Sequence, residues 1–266
     1  MDQSLFARNI LFFGEEHFRR IQRSFVAVIG LGGVGGCAAE ALARCGVGKL
    51  LVVDCDIVKP SDVNRQLIAL STNVNQSKAD AARERLLSIN PSLVLDARKA
   101  FFHLDTAAEL ITPDLDFVVD AIDSLTPKSI LIRHCMENGL PIVSAMGAAG
   151  RKDPFQIRIS TLEKTSVCPL ARMLRKDIKK KLRPRRVSLD IPVVYSLEPP
   201  IPGVELDQEE EGPEQEGSEG TYLRGRKRKP LPTLPTLPAI FGLVLANYVI
   251  EKLVSSPSKK VENSPL

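Results

Sequence analysis

Five glycines at the end of an apolar run are the first residues in this sequence whose types and spacing suggest chemistry. They are Gly30, Gly32, Gly33, Gly35 and Gly36, within VAVIGLGGVGG, and a helix-forming segment follows them. Glycine permits a tight turn and close approach of backbone N–H groups to phosphate, and the amino end of a helix attracts anions. The turn predicts a nucleotide site, the alternative being a strand-to-helix turn that binds nothing. The glycines alone do not distinguish NAD from ATP.

Three charged residues downstream bear on which nucleotide binds. Asp54 closes the second apolar run, where an acid can hold a ribose hydroxyl in either class of enzyme. Arg65 and Lys78 follow, and two cations suit the β- and γ-phosphates of ATP better than the two phosphates of a dinucleotide. These cations favour ATP, with solvated surface charges as the alternative.

Two aspartates in FVVDAIDS, Asp120 and Asp123, end a later apolar run. Ligands of open parallel sheets bind beyond the carboxyl ends of the strands, and Mg²⁺ takes one or two carboxylates together with phosphate. For Asp120 the alternative is a helix or turn cap. Asp123 is therefore the better candidate for a Mg²⁺ ligand.

The elements that must position these residues alternate along the chain. Short runs rich in Val and Ile alternate with helix-forming segments after a helical lead-in over 5–23, and six such runs read as strands. This alternation predicts an α/β fold with a Rossmann-like, doubly wound, mainly parallel sheet. We expect one domain over 1–254.

The last third of the chain differs in charge. Residues 168–186 predict a basic helix that ends at Pro184, residues 203–229 a disordered charged insertion, and residues 255–266 a solvated tail. AIFGLVLANYVI, residues 239–250, is short for a membrane span and predicts a packed helix, with membrane association as the less favoured alternative. The basic helix carries a dense positive patch suited to a phosphate backbone, with a solvated helix face as the alternative: Arg172, Arg175, Lys176, Lys179, Lys180, Lys181 and Arg183.

Composition excludes some classes of protein. The 266 residues carry a net charge of +4, too mild to imply nucleic acid by itself. The five cysteines form no C-x-x-C pair, which argues against a disulfide framework and a Cys-rich zinc site and favours a reducing compartment. With no signal-peptide pattern, we expect a cytoplasmic protein, or an organelle-associated one in a eukaryote. Cys168 is the one candidate for a reactive thiol.

Several motifs, in order, resemble a known family. GLGGVGG, VVDCD, NRQ, Lys78 and DAID together resemble the E1-like adenylating superfamily, which includes the activating enzymes for MoaD, ThiS and ubiquitin. Within it, DVNRQLIAL, DAIDSLTPKSILIRHC and CPLARMLRKDIKKKL are most similar to the tRNA threonylcarbamoyladenosine dehydratase family, called TcdA or CsdL in bacteria. The resemblance spans roughly residues 5–254 and implies the ThiF fold.

The resemblance implies a role for each candidate residue. The glycine turn would line the phosphates of ATP, Asp54 would bind the ribose, Arg65 and Lys78 would contact phosphates, and Asp123 would hold Mg²⁺. Arg8 matches an arginine that reaches into the partner's ATP site in E1-like homodimers, with a plain surface residue as the alternative. A homodimer is implied, and a sulfur-transfer system is a further candidate partner.

The implied reaction cyclises a modified tRNA base. The carboxylate of N6-threonylcarbamoyladenosine, beside the anticodon, would be adenylated by ATP, and a carbamoyl nitrogen would then close a hydantoin ring with net loss of water. The basic patch would contact the tRNA. Three alternatives stay open: an activating enzyme for a ubiquitin-like or sulfur-carrier protein, an NAD-dependent oxidoreductase, and an inactive RNA-binding relative, against which the intact ATP-site residues argue. The first expects a catalytic cysteine, and the second leaves Arg65 and Lys78 without a role.

Overall fold

Seven strands form one sheet in the computed structural model of the chain, which describes residues 3–184, 188–203 and 231–255. The strands are β1 (Phe25–Ile29), β2 (Lys49–Asp54), β3 (Val94–Lys99), β4 (Phe117–Asp120), β5 (Ile142–Ala145), β6 (Ile157–Thr161) and β7 (Pro192–Ser196). Their order is β3-β2-β1-β4-β5-β7-β6, and every neighbouring pair is parallel except β6 with β7. The strand order reverses between β1 and β4, the switch point at which such sheets bind ligands. The predicted fold class is confirmed.

Helices cover both faces of the sheet. They are α1 (Ala7–Arg23), α2 (Gly35–Cys45), α3 (Lys78–Ile89), α4 (Ala107–Leu110), α5 (Leu125–Glu137), α6 (Pro169–Lys181) and α7 (Thr236–Ser255). Alternate strand residues feed two separate cores: Val26 and Val28 of β1 pack with residues of α2, α3 and α7, whereas Ala27 and Ile29 pack with those of α4, α5 and α6. The alternation follows from the two-residue period of a strand buried on both faces.

Two predicted helices differ in detail from those observed. The lead-in helix breaks at Gly14, whose φ of +75° lies in the left-handed region that glycine adopts without strain. The basic helix ends at Lys181, before the predicted stop at Pro184, and turn residues follow it. Of the predicted charged insertion and tail, only Gly203 and Ser255 fall within the described residues.

The apolar helix α7 packs on the nucleotide-binding half of the molecule. A Cβ built on Gly242 would lie 2.3 Å from the carbonyl oxygen of Val34, which precedes α2, so the two helices approach as closely as backbone allows. Phe241, Leu245 and Val249 are fully buried in the core. By length and composition α7 could also cross a membrane, a weak indication because buried core helices meet the same criterion.

Candidate nucleotide site

The glycine turn is compressed between two other segments. Gly30 has a φ of +92°, and a Cβ built on it would lie 2.9 Å from the carbonyl oxygen of Ala121, beyond β4. A Cβ on Gly33 would lie 2.9 Å from the carbonyl oxygen of Arg65, and one on Gly35 only 1.7 Å from that of Gly30. No side chain fits at these three positions. The backbone of the turn can therefore pack directly against the backbone of the segments that follow β2 and β4, at the carboxyl edge of the sheet.

The amino end of α2 opens directly from this turn. Within the described part of the chain, no side chain caps this helix end, whose N-cap is Val34. Uncapped N–H groups and the positive end of the helix dipole together suit a phosphate. The space next to Gly32 is open, since nothing lies within 4 Å of a Cβ built there.

Asp54 ends β2 beside the turn. Its Oδ2 accepts a hydrogen bond from the backbone N–H of Leu31 at 2.6 Å, and its Oδ1 accepts one from that of Asp56 at 2.9 Å. Burial raises the pKa of this carboxyl, although Lys78 and the two N–H groups oppose the rise. These bonds hold Asp54 against the glycine turn, where its remaining lone pairs suit a hydroxyl.

Asp62 joins the two predicted cations and was missed from the sequence. It is 5% exposed. Its carboxylate lies 3.2 Å from Arg65 Nη2 and 3.5 Å from Lys78 Nζ, and it accepts hydrogen bonds from Gln66 Nε2 at 2.6 Å and from the Lys59 N–H at 3.1 Å. The signal available in the sequence was an acid three residues before Arg65. Asp62 fixes both cations beside the turn.

Lys78 is buried, so the alternative of a solvated surface charge does not hold for it. Burial alone lowers the pKa of this ammonium, but Asp54, Asp56 and Asp62 together raise it above its ordinary value. Lys78 therefore stays charged. Arg65 is more open, and its Nη1 donates to the carbonyl oxygen of Ser61 at 2.6 Å. Both cations are held beside the turn, Lys78 buried and Arg65 partly exposed.

The two aspartates after β4 have different surroundings. Asp123 is exposed at the carboxyl edge and accepts a hydrogen bond from Ser124 Oγ at 3.2 Å. Asp120 is fully buried, and its Oδ1 caps the turn by accepting from the N–H of Ile122 at 3.1 Å. This agrees with the cap that the sequence offered as an alternative for Asp120. Asp123 has the exposure that a Mg²⁺ ligand shared with phosphate requires.

Asp120 also belongs to a buried ion pair that the sequence did not reveal. Lys128 Nζ lies 2.7 Å from Asp120 Oδ2, and Ser144 Oγ donates to the same oxygen at 2.6 Å. All three side chains are 0% exposed. Lys128 lies on α5 and Ser144 on β5, so the pair connects the loop that carries Asp123 to two neighbouring elements.

Asp54, Cys55 and Asp56 have ligand atoms within 4.8 Å of one another, close enough to share an ion. Their chemistry does not suit Mg²⁺, because the carboxylates already bind backbone N–H groups and Lys78, and a thiol is a soft ligand. The cluster leaves Asp123 as the better Mg²⁺ candidate.

Arg8 lies far from the glycine turn of its own chain. Its neighbour Asn9 donates to the carbonyl oxygen of Arg44 at 2.8 Å, in the last turn of α2. The turn opens the other end of that 11-residue helix, about 15 Å away. Arg8 is exposed, and so are Leu11 and Phe12, at 85% and 82%.

The basic residues of α6 are mostly exposed, whereas Arg175 is engaged. Its guanidinium donates to the carbonyl oxygens of Leu162 and Thr165, at 3.1 and 3.0 Å, and to the Thr165 hydroxyl. Two other cations in the patch pair with acids, Lys179 with Glu163 and Lys181 with Asp177. The exposed members are Arg172, Lys176, Lys179, Lys180, Lys181 and Arg183.

Cys168 begins α6 as its N-cap residue and is 3% exposed. The sequence placed this thiol in a loop, but the packing of α6 buries it beside Gly147. A reagent has little access to it.

Comparisons with known proteins identify relatives of the whole chain. The sequence profile of the ThiF family matches residues 6–266. A tRNA threonylcarbamoyladenosine dehydratase of Bacillus subtilis is 37% identical over 250 residues, 94% of each chain, and one of Escherichia coli is 38% identical over 189 residues, 70% of each. A crystal structure of the E. coli enzyme, TcdA, in complex with ATP is similar with a TM-score of 0.81 and 31% identity, over 94% of each chain.

Substitution of Lys128 tests the buried ion pair. We expect Lys128→Met to lower the free energy of unfolding by about 3–5 kcal/mol, because it leaves the Asp120 carboxylate buried without its counter-ion. The double variant Asp120→Asn/Lys128→Met should recover about 1 kcal/mol or more, since neither charge is then buried and the asparagine Oδ1 can still accept from the Ile122 N–H. Urea unfolding measures both. A single variant as stable as the unsubstituted protein, or a double variant no better than the single, would contradict this account.

Proposed function

The chain belongs to the ThiF family and, within it, to the tRNA threonylcarbamoyladenosine dehydratases, and we propose that it cyclises N6-threonylcarbamoyladenosine beside the tRNA anticodon at the expense of ATP. The observation that carries the ATP site is the buried Asp62, which holds Arg65 and Lys78 beside a glycine turn with no room for side chains. The tRNA substrate rests on the relatives.

The proposed reaction has two steps. A carboxylate oxygen of the threonyl group attacks the α-phosphorus of ATP, which gives an acyl-adenylate and releases pyrophosphate. A carbamoyl nitrogen then attacks the acyl carbon, loses its proton and expels AMP. The ring closes, and one water is lost overall, its oxygen leaving on AMP.

The chain contributes mainly positioning and electrostatic stabilisation to this reaction. Lys78 and Arg65 stabilise the negative charge that develops on the departing pyrophosphate. Because their positions are already fixed, this stabilisation needs no reorganisation during the reaction. Asp54 holds the ribose. Asp123 would hold Mg²⁺, which neutralises phosphate charge when bound. Asp62 is a positioning residue for both cations.

We also propose that two copies of the chain share their sites through Arg8. Arg8 lies near the carboxyl end of α2, whereas the glycine turn of the same chain is at the amino end of that helix. This separation supports action of Arg8 on the site of a second copy. Exposed Leu5, Leu11 and Phe12 surround it. Exposed Val63, Leu67 and Leu70 flank Arg65. Pairing these two apolar surfaces would place Arg8 of one copy at the phosphates of the other.

In the alternative function, the group that accepts AMP is the carboxyl terminus of a ubiquitin-like or sulfur-carrier protein. Adenylation would proceed on the same cations, so the nucleotide site does not separate the two functions. Carrier-activating enzymes are the more distant relatives, and the buried Cys168 is a poor acceptor for a thioester. We therefore favour the tRNA substrate. A sulfur-transfer system remains a candidate partner, and its proteins can be added to the dehydration assay described next.

Incubation with ATP, Mg²⁺ and tRNA that carries threonylcarbamoyladenosine tests the function. We expect an ATP-dependent loss of one water from the modified nucleoside, measured by mass spectrometry. Arg65→Ala and Asp123→Ala should each lower the rate at least about 100-fold, because charge stabilisation of this kind contributes two or more orders of magnitude. Arg23→Ala, an exposed cation at the end of α1, is the matched control. Adenylation of a carrier protein with unchanged tRNA would overturn the proposal.

Mixing two inactive variants tests the shared site. Equimolar Arg8→Ala and Asp123→Ala chains, after subunit exchange, should regain about a quarter of the unsubstituted activity, because half the dimers are mixed and each has one complete site. The dehydration assay measures it. If Arg8 served its own chain, both sites of a mixed dimer would stay incomplete and the mixture would remain inactive.

The basic surface of α6 is the proposed tRNA contact. Lys176→Gln/Lys180→Gln should weaken tRNA binding on the order of 10-fold and lower the slope of log K against log salt by about 2, since two phosphate contacts are lost. Fluorescence anisotropy over a salt series measures both. Arg23→Gln should change neither quantity. An unaltered salt slope in the double variant would exclude this surface.

A further inference from the structure

Arg151 is a buried cation that the nucleotide site does not use. It follows the loop GAAG, residues 147–150, at the carboxyl end of β5 and is 2% exposed. Within residues 3–184, 188–203 and 231–255, its Nε and Nη1 are buried and have no hydrogen-bond partner. Buried polar atoms in native proteins nearly always have partners, so two unpartnered nitrogens on one charged group call for a partner, either water or a ligand.

The residues near Arg151 do not neutralise its charge. Among the described residues, no carboxylate lies within 4.0 Å of its guanidinium. Glu198 acts on the guanidinium only through space, and this interaction raises the pKa of Arg151. Glu198 already accepts from the backbone N–H groups of Lys152 and Asp153, at 2.9 and 3.0 Å. Burial nevertheless lowers the pKa of Arg151.

The surroundings suit an anion more than a water molecule. Water would satisfy the nitrogens but leave the buried charge without a contacting counter-ion among the described residues, which is unfavourable. The amino end of α6 adds a second positive element, because its N-cap residue, Cys168, lies beside the loop and makes no side-chain cap hydrogen bond. The distance from a Cβ built on Gly147 to Cys168 Sγ is 3.8 Å.

This loop lies next to the nucleotide site. β5 pairs in parallel with β4, with Ser144 opposite Asp120, so the loops that carry Arg151 and Asp123 leave adjacent strands at the same edge. Gly150 donates to the carbonyl oxygen of Pro232 at 2.7 Å, and six residues later Pro238 contacts the glycine turn at Gly33. The loop that carries Arg151 therefore lies beside the proposed nucleotide site.

We propose that Arg151 and the amino end of α6 form a subsite for the carboxylate of the threonylcarbamoyl group. This subsite rests on the proposed function and deepens it, since it names the group that selects the modified base. A guanidinium binds a carboxylate with charge-assisted hydrogen bonds. RNA phosphate would offer similar chemistry, and the test below separates the two sources.

The test compares two anticodon stem-loop RNAs, one with threonylcarbamoyladenosine and one with unmodified adenosine at the same position. Binding is measured by fluorescence anisotropy without ATP, so that no turnover occurs. We expect the unsubstituted protein to bind the modified RNA about 10- to 100-fold more tightly, as charged hydrogen bonds allow. In Arg151→Gln this ratio should fall to about one, with affinity for the unmodified RNA unchanged.

Two variants and one analogue complete the design. Lys152→Gln removes an exposed cation one residue away and should keep the ratio. Arg151→Lys keeps the charge but not the planar donor set, and should give an intermediate ratio. A modified RNA whose carboxylate is replaced by a carboxamide should bind the unsubstituted protein no better than unmodified RNA, a measurement that does not depend on any variant folding.

The outcomes are distinct. An unchanged ratio in Arg151→Gln, or an unsubstituted protein that binds the carboxamide as tightly as the carboxylate, would overturn the subsite while leaving the dehydration assay intact. Equal weakening of both RNAs would assign Arg151 to an RNA phosphate and overturn the carboxylate subsite. Failure of the unsubstituted protein to dehydrate modified tRNA would overturn the proposed function, and the subsite with it.

Discussion

The site depends on one steric constraint, which is that three backbone segments meet where no side chain fits. The turn at Gly30, Gly33 and Gly35 touches the carbonyl oxygens of Ala121 and Arg65. A single methyl group at any of the three would push these segments apart. Because the segments carry Asp123 and Arg65, the same contact that closes the turn also brings an acid and a cation to it.

Electrostatics then fixes what sterics brings together. The buried carboxylate of Asp62 forms ion pairs with both Lys78 and Arg65, and these shared contacts keep the two positive groups next to each other. Asp62 contacts both cations and so reduces the repulsion between them. This arrangement is formed before ligand arrives, which is the condition for electrostatic stabilisation without reorganisation.

Two buried cations at neighbouring strand ends illustrate different uses of charge. Lys128 pairs with Asp120 at 2.7 Å, and the pair supports the loop that carries Asp123. Arg151, on the next loop along the edge, has two buried nitrogens without partners in the described residues. A compensated charge can serve structure, whereas an uncompensated one raises the free energy of the unliganded protein and is best explained by a ligand.

The sequence by itself determined the fold class, the glycine turn and most element positions, because these depend on local periodicity and on glycine's conformational freedom. Motif order also identified the family. Only the tertiary structure decided that Asp62 joins Arg65 to Lys78, that Lys128 pairs with Asp120, and that two buried nitrogens of Arg151 have no partner among the described residues. The tertiary structure also shows that Cys168 is buried and that Arg175 donates to backbone carbonyl oxygens. The reason is physical: burial and pairing are set by elements distant in sequence that pack together, and no local pattern records which charges will meet there.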